Sequence, residues 1–92
     1  MNGVIASMLE VHVPKLFPTL SEKDWFKITQ WYVQEGAILQ PGDLMVEIEC
    51  APGLFDVTTP PQVTGPHRVV KLHVPVGPAH LGQLIISLEP VM

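Results

Sequence analysis

The chain has 92 residues, of which 47% are apolar and 15% charged, with a formal net charge of −4. That much apolar surface excludes an intrinsically disordered chain. Five Lys and Arg in an acidic chain exclude a basic footprint for nucleic acid, and no apolar run approaches the ~20 residues that span a bilayer.

Ten Pro and seven Gly spread along the chain leave little room for long helices. Turn signals fall at Pro14, Pro18, Glu35-Gly36, Pro41-Gly42, Pro52-Gly53, Pro60-Pro61, Gly65-Pro66, Gly77-Pro78 and Gly82. The start, MNGVIASMLE, has no basic residue ahead of its short apolar run and is a poor signal peptide. The single Cys cannot form an internal disulfide, so a reducing cytoplasm is the expected compartment.

In chain order, Val11 and Val13 flank His12 as a first short strand. Ser21-Glu22-Lys23-Asp24 then offers a helix cap, with one helical turn over Asp24–Lys27 as a competitor to strand. The β-branched, aromatic run that follows favours a strand, with Trp31 and Val33 on one face and Gln30, Tyr32 and Gln34 on the other. Leu44, Val46 and Ile48 point inward against Glu47 and Glu49. Phe55 and Val57 flank Asp56 in the same manner. Val70, Leu72 and Val74 alternate with Lys71 and His73, and Leu84, Ile86 and Leu88 form the last inward set.

Two stretches repeat. Residues 28–49 and 69–89 align with one gap, matching Val33 with Val74, Gly36 with Gly77, Gly42 with Gly82, Leu44 with Leu84 and Glu49 with Glu89. Each half reads strand, glycine turn, short loop, glycine turn, strand. Two such halves, each with one apolar face, bury those faces against each other. The expected fold is all-β: a flattened barrel or sandwich of two antiparallel sheets with a quasi-two-fold repeat. One domain covers 1–92, with its core over about 11–89 and residues 1–9 as an N-terminal extension.

The segment WYVQEGAILQPGDLMVEIE, residues 31–49, resembles the biotinyl/lipoyl carrier domain, closest to the lipoyl domain of 2-oxo acid dehydrogenase acyltransferase subunits. Upstream, Val13-Pro14-Lys15-Leu16 and Pro18-Thr19-Leu20 resemble its first strand and turn. Downstream, Gly65, Val74, Gly77, Gly82-Gln83-Leu84 and Leu88-Glu89 resemble its second half. The resemblance covers residues 11–89 and implies the same flattened, internally symmetric fold.

In that family the next stretch is glutamate-threonine-aspartate-lysine-alanine, and its lysine takes lipoate at the tip of a hairpin. Here Glu49-Cys50-Ala51-Pro52 stands in its place, and Pro52 occupies the lysine's position. Proline has no side-chain amine, and Cys50, Ala51, Gly53 and Leu54 have none either. The biotin version places its lysine between two methionines, which are absent. Lipoate or biotin attachment at this turn is therefore excluded on chemistry. The lysines are Lys15, Lys23, Lys27 and Lys71, all distant from the turn in sequence.

Ala51-Pro52-Gly53-Leu54 is expected to form a type II turn, with Pro52 presetting φ and Gly53 taking the positive φ. Cys50, Ala51, Pro52, Gly53 and Leu54 together form a hairpin tip that could contact a partner. Cys50 is expected to be a small strand residue rather than a reactive thiol, because its neighbour Glu49 disfavours the thiolate. No His and Asp stand at a spacing that serves nucleophilic catalysis. His67 and His73, six apart on a strand, share a face but stand ~20 Å apart, too far to bind one ion. No paired Cys or HxH spacing supports zinc, so metal and catalytic residues are expected to be none. Glu35, Asp43, Glu47 and Glu49 read as a solvated face.

The resemblance therefore implies a degenerate lipoyl-like domain, neither an enzyme nor a cofactor carrier. Its expected role is a non-catalytic binding or accessory module in the cytoplasm, linked to a 2-oxo acid dehydrogenase or carboxylase system. Its partner would be an unidentified protein of a multienzyme acyl-transfer complex, not nucleic acid or membrane. The domain would be a monomer or weak homo-oligomer. One alternative is a carrier that uses a non-standard attachment residue. Another is an adaptor barrel of a transport assembly, although those usually carry a long helical hairpin between the halves, for which Ala51-Pro52-Gly53 leaves no room.

Overall fold

The structure, a computed structural model, describes residues 8–16, 19–21 and 23–91. The turn signal at Pro18, the cap residue Glu22 and the first seven residues of the N-terminal extension lie outside the described residues. Eight strands form in chain order: β1 (Leu9–His12), β2 (Phe26–Trp31), β3 (Ile38–Leu39), β4 (Leu44–Cys50), β5 (Gly53–Thr58), β6 (His67–Leu72), β7 (Gly77–Ala79) and β8 (Leu84–Pro90). No helix occurs among the described residues. The strands extend from Leu9 to Pro90, slightly beyond the expected 11–89 core.

They make two antiparallel four-stranded sheets, ordered β1-β8-β6-β3 and β5-β4-β2-β7. The sheets remain separate, so the fold is a flattened sandwich and not a closed barrel. The two orders superpose when β5, β4, β2 and β7 are matched with β1, β8, β6 and β3. The repeat seen in sequence is thus a repeat of topology.

The core lies between the sheets. Ile28, Met45, Val46 and Ile48 of one sheet and Ile85, Ile86 and Leu88 of the other are fully buried. Burying side chains of this size stabilises by about 1.5–3 kcal/mol each relative to leaving them exposed. Trp31 ties the halves together as well: its indole N–H donates to the carbonyl of Val74 at 2.9 Å.

The inward set differs from the expectation in one systematic way. Leu44 is 43% exposed and Met45 is buried; Val70 is 38% exposed and Val69 is buried; Leu84 is half-buried while Ile85 is fully buried. A β-bulge causes each change. Leu44 pairs with Thr58 and Val46 with Val57, so Met45 is the extra residue. In β8, His12 pairs with Leu84 and Val11 with Ile86, which leaves Ile85 as the extra. Thr29 is skipped between Ile28 and Gln30 in β2, and Val70 between Val69 and Lys71 in β6. One extra residue shifts the alternation by one and turns the rest of the strand over. The four bulges are two pairs related by the repeat.

The glycine turns follow the same pairing. Gln40-Pro41-Gly42-Asp43 is a type II turn: the Asp43 N–H donates to the Gln40 carbonyl at 3.1 Å, and Gly42 has φ +86°. His80-Leu81-Gly82-Gln83 repeats it, with a 3.0 Å bond from the Gln83 N–H to the His80 carbonyl. Before β2, the helical turn expected over Asp24–Lys27 is absent, because Phe26 and Lys27 already belong to the strand. Ser21–Asp24 instead forms a turn in which the Ser21 N–H donates to Asp24 Oδ2 at 2.7 Å.

The bulges make a reversal testable. Met45→Ala should cost about 2–5 kcal/mol in urea unfolding, and Leu44→Ala within about 0.5 kcal/mol. Plain alternation predicts the opposite order, so a larger loss at Leu44 would refute the bulge.

Candidate functional site

The β4–β5 hairpin is the segment that the sequence singles out. Cys50 pairs with Gly53 and Glu49 with Leu54, so Ala51 and Pro52 alone form the loop. The turn is therefore Cys50–Gly53, one residue earlier than the type II turn expected over 51–54. Pro52 takes the second corner, and Gly53, with φ +145°, re-enters the strand in a conformation that L residues rarely adopt. Two-residue loops suit proline here because the corner needs no backbone N–H in the ladder.

Five residues were expected to make the contact tip, and the fold sorts them. Ala51 and Pro52 are exposed, Gly53 is half-buried and Leu54 is 59% exposed. Cys50 is not part of the surface: it is 2% exposed, on the inward face beside its strand partner Phe26. Burial pushes its thiol pKa up, the carboxylates of Asp24 and Glu49 push it further, and a backbone hydrogen bond from Gly53 opposes them. A thiol so placed is a packing residue and a poor nucleophile.

One residue at this end escaped the sequence reading. Trp25 precedes Phe26, whose partner is Cys50, so it stands beside the turn, and it is 53% exposed. An exposed Trp is rarer than an exposed Leu, but only the fold puts it next to Leu54's hairpin. Lys27 also comes close, in register with Glu49, yet on β2 rather than at the turn. No residue from 50 to 54 carries a side-chain amine.

The carboxylates have structural tasks beyond solvation. Thr29 donates its hydroxyl to Glu47 Oε1 at 2.7 Å. The Tyr32 hydroxyl lies 3.1 Å from Asp56 Oδ1 and 3.4 Å from Glu47 Oε2. Glu35 Oε2 accepts the Leu72 N–H at 3.0 Å, and Asp43 Oδ2 accepts the Gln40 N–H at 2.8 Å. Desolvation raises the Tyr32 pKa, and the hydrogen bond and charge of Asp56 and the nearby Glu47 raise it further. This outer-face cluster has a counterpart in the other half, where His73 Nε2 lies 2.6 Å from Ser87 Oγ.

The histidines separate. His67 is 9% exposed, with Nδ1 3.0 Å from the Gly65 carbonyl, whereas His73 is exposed. The bulge at Val70 puts them on opposite faces, not on the shared face expected. Among the described residues, no three His, Cys, Asp or Glu side chains gather as a metal site. No helix among them is long and apolar enough to cross a membrane. Compared with known proteins, the chain matches no family model, and no curated protein matches it.

Two measurements follow from this geometry. Cys50 should resist alkylation in the folded chain and react fully once urea unfolds it; rapid labelling of the native form would contradict its burial. Tyr32 is the single tyrosine, so ultraviolet titration reads it directly. Its phenol should ionise above the ~10 of an unfolded tyrosine, and Asp56→Asn should lower that midpoint. The raised pKa stabilises the fold below the unfolded value, and that contribution is lost as pH rises through the folded one.

Proposed function

We propose that this chain is a lipoyl-like domain that has lost its attachment lysine and acts as a non-catalytic binding or accessory module. The observation that carries the reading is the hairpin tip. It stands at the join of two matched strands, where the resemblance expects a modified lysine, and Pro52 occupies that position. The two-sheet topology with its internal repeat is what such a domain requires. The chemistry at the tip is not what a carrier requires, since no amine is present and the adjacent thiol is buried.

Contact through Ala51, Pro52 and Leu54, joined by Trp25, is the function left to this end of the domain. Four neighbouring apolar groups, two of them large and more than half exposed, give a compact patch for a protein surface. By analogy with the resembling family, the partner belongs to a 2-oxo acid dehydrogenase or carboxylase assembly, and the cytoplasm is the proposed compartment.

Intact mass of the chain from its native host tests the non-carrier reading: the unmodified mass is expected, and a lipoyl or biotinyl increment would overturn it. Recovery of partners on immobilised wild type and on Leu54→Asp and Trp25→Ser tests the tip. Both substitutions should lower recovery of a specific partner by about tenfold, as loss of a central apolar anchor does. Equal recovery on all three would exclude the tip as the contact.

A further inference from the structure

At position 67 the two halves of the sandwich differ in chemistry. Phe26 pairs with Cys50 as His67 pairs with Pro90, and Phe55 pairs with Ile48 as Leu9 pairs with Leu88. In the first half, β4 turns straight into β5 through Ala51 and Pro52. No such turn joins β8 to β1, which stand far apart in the chain. A pocket of about 370 Å³ opens beside these strand ends, within the range of about 300–1,000 Å³ typical of ligand sites.

The lining combines an apolar wall with one buried polar ring. Met8, Leu9 and Pro90 supply the wall, Gln62 and Thr64 add exposed polar groups, and His67 is 9% exposed. The Gly65 carbonyl, 3.0 Å from His67 Nδ1, can only accept, so Nδ1 carries the proton. Nε2 of that ring, in its neutral form, is then an acceptor, and it has no hydrogen-bond partner among the described residues. His12 makes the same kind of bond to the Gly82 carbonyl, but its ring is exposed, so solvent can serve Nε2. His73 already engages Nε2 with Ser87. A buried acceptor left unpaired is destabilising, and a hydrogen-bond donor in the pocket would satisfy it.

We infer that this pocket binds a small neutral aromatic alcohol, whose hydroxyl donates to His67 Nε2 and whose ring lies against Met8, Leu9 and Pro90. No charged side chain lines the pocket, and the neighbouring Arg68 and Glu89 pair with each other at 3.3 Å. An aliphatic amine, charged at neutral pH, would find no carboxylate on the wall. A carboxylate would find no cation and would face a lone pair. A ring suits the wall because a thioether packs well against an aromatic edge. The site shares no residue with the hairpin tip and does not depend on it.

The probe is 2-naphthol, compared with its methyl ether, which keeps both rings and lacks the donor. Followed by amide resonances at neutral pH, 2-naphthol should shift Leu9, Thr64 and His67 and bind about tenfold more tightly than the ether. The ring-nitrogen resonance of His67 Nε2 should move on adding 2-naphthol and stay in place with the ether. His67→Phe installs the residue that the other half carries as Phe26, so the fold should survive and the two probes should bind alike. Should that variant fail to fold, the Nε2 resonance of the wild type still decides. No binding, equal binding of the two probes to the wild type, an unmoved Nε2 resonance, or shifts confined to residues 50–54 would each overturn the proposal. So would a tenfold preference that persists in His67→Phe.

Discussion

Each half of this chain carries an apolar face that only the other half covers. Ile28 and Ile48 meet the face that presents Val69 and Leu88, and among the described residues neither sheet has a helix to hide behind. Burial of one sheet by the other is thus the term on which everything else rests. It explains why the halves match so closely along the buried interface between the sheets. A bulge in β4 that turns Met45 inward is answered by a bulge in β8 that does the same for Ile85. The next backbone bond is answered as well: the Tyr32 N–H donates to the Met45 carbonyl at 2.9 Å, and the His73 N–H to the Ile85 carbonyl at 2.8 Å. Bulges increase strand twist, and twisted sheets close over each other better than flat ones.

The hairpin tip inherits its character from this packing. After the bulge, inward and outward positions are fixed for the rest of β4. Val46, Ile48 and Cys50 face the core, and Glu47 and Glu49 face out. Cys50 therefore cannot be at the surface while Ile48 is buried. Leu54, opposite Glu49, must be outward for the same reason. Ala51 and Pro52 are released only because the two strands end there. The division between a buried thiol and an exposed apolar turn is a consequence of register, not of the turn's own chemistry.

Most of the fold was legible because it is written in short-range signals. Proline and glycine marked the turns, β-branched runs marked the strands, and matched glycines at 36/77 and 42/82 revealed the repeat. What was not legible depends on counting across a bulge. Leu44, Val70 and Leu84 all look inward by strict alternation, and all are wrong for one cause. His67 failed for a related reason. Its counterpart in the other half is Phe26: Phe26 pairs with Cys50 as His67 pairs with Pro90. Phe26 is a core residue, so a polar ring now occupies a core position and must satisfy Nδ1 locally, on Gly65. At the candidate site, the sequence located the hairpin, with its turn set one residue too late. It could not place Trp25 beside that turn, since the 24 residues between Trp25 and Cys50 are closed only by the β2–β4 ladder.

The repeat also explains where the sandwich is weakest as a closed object. Two matched sheets have two outer edges each. On one side β3 and β7 are only two and three residues long, and short edges present little template to another chain. On the other side stand β1 and β5, longer and flanking a cleft. Native edges are commonly guarded by charge, and here the guards are Glu10 and Asp56, both of one sign. Such charges repel an acidic strand, and their desolvation opposes pairing with an apolar one.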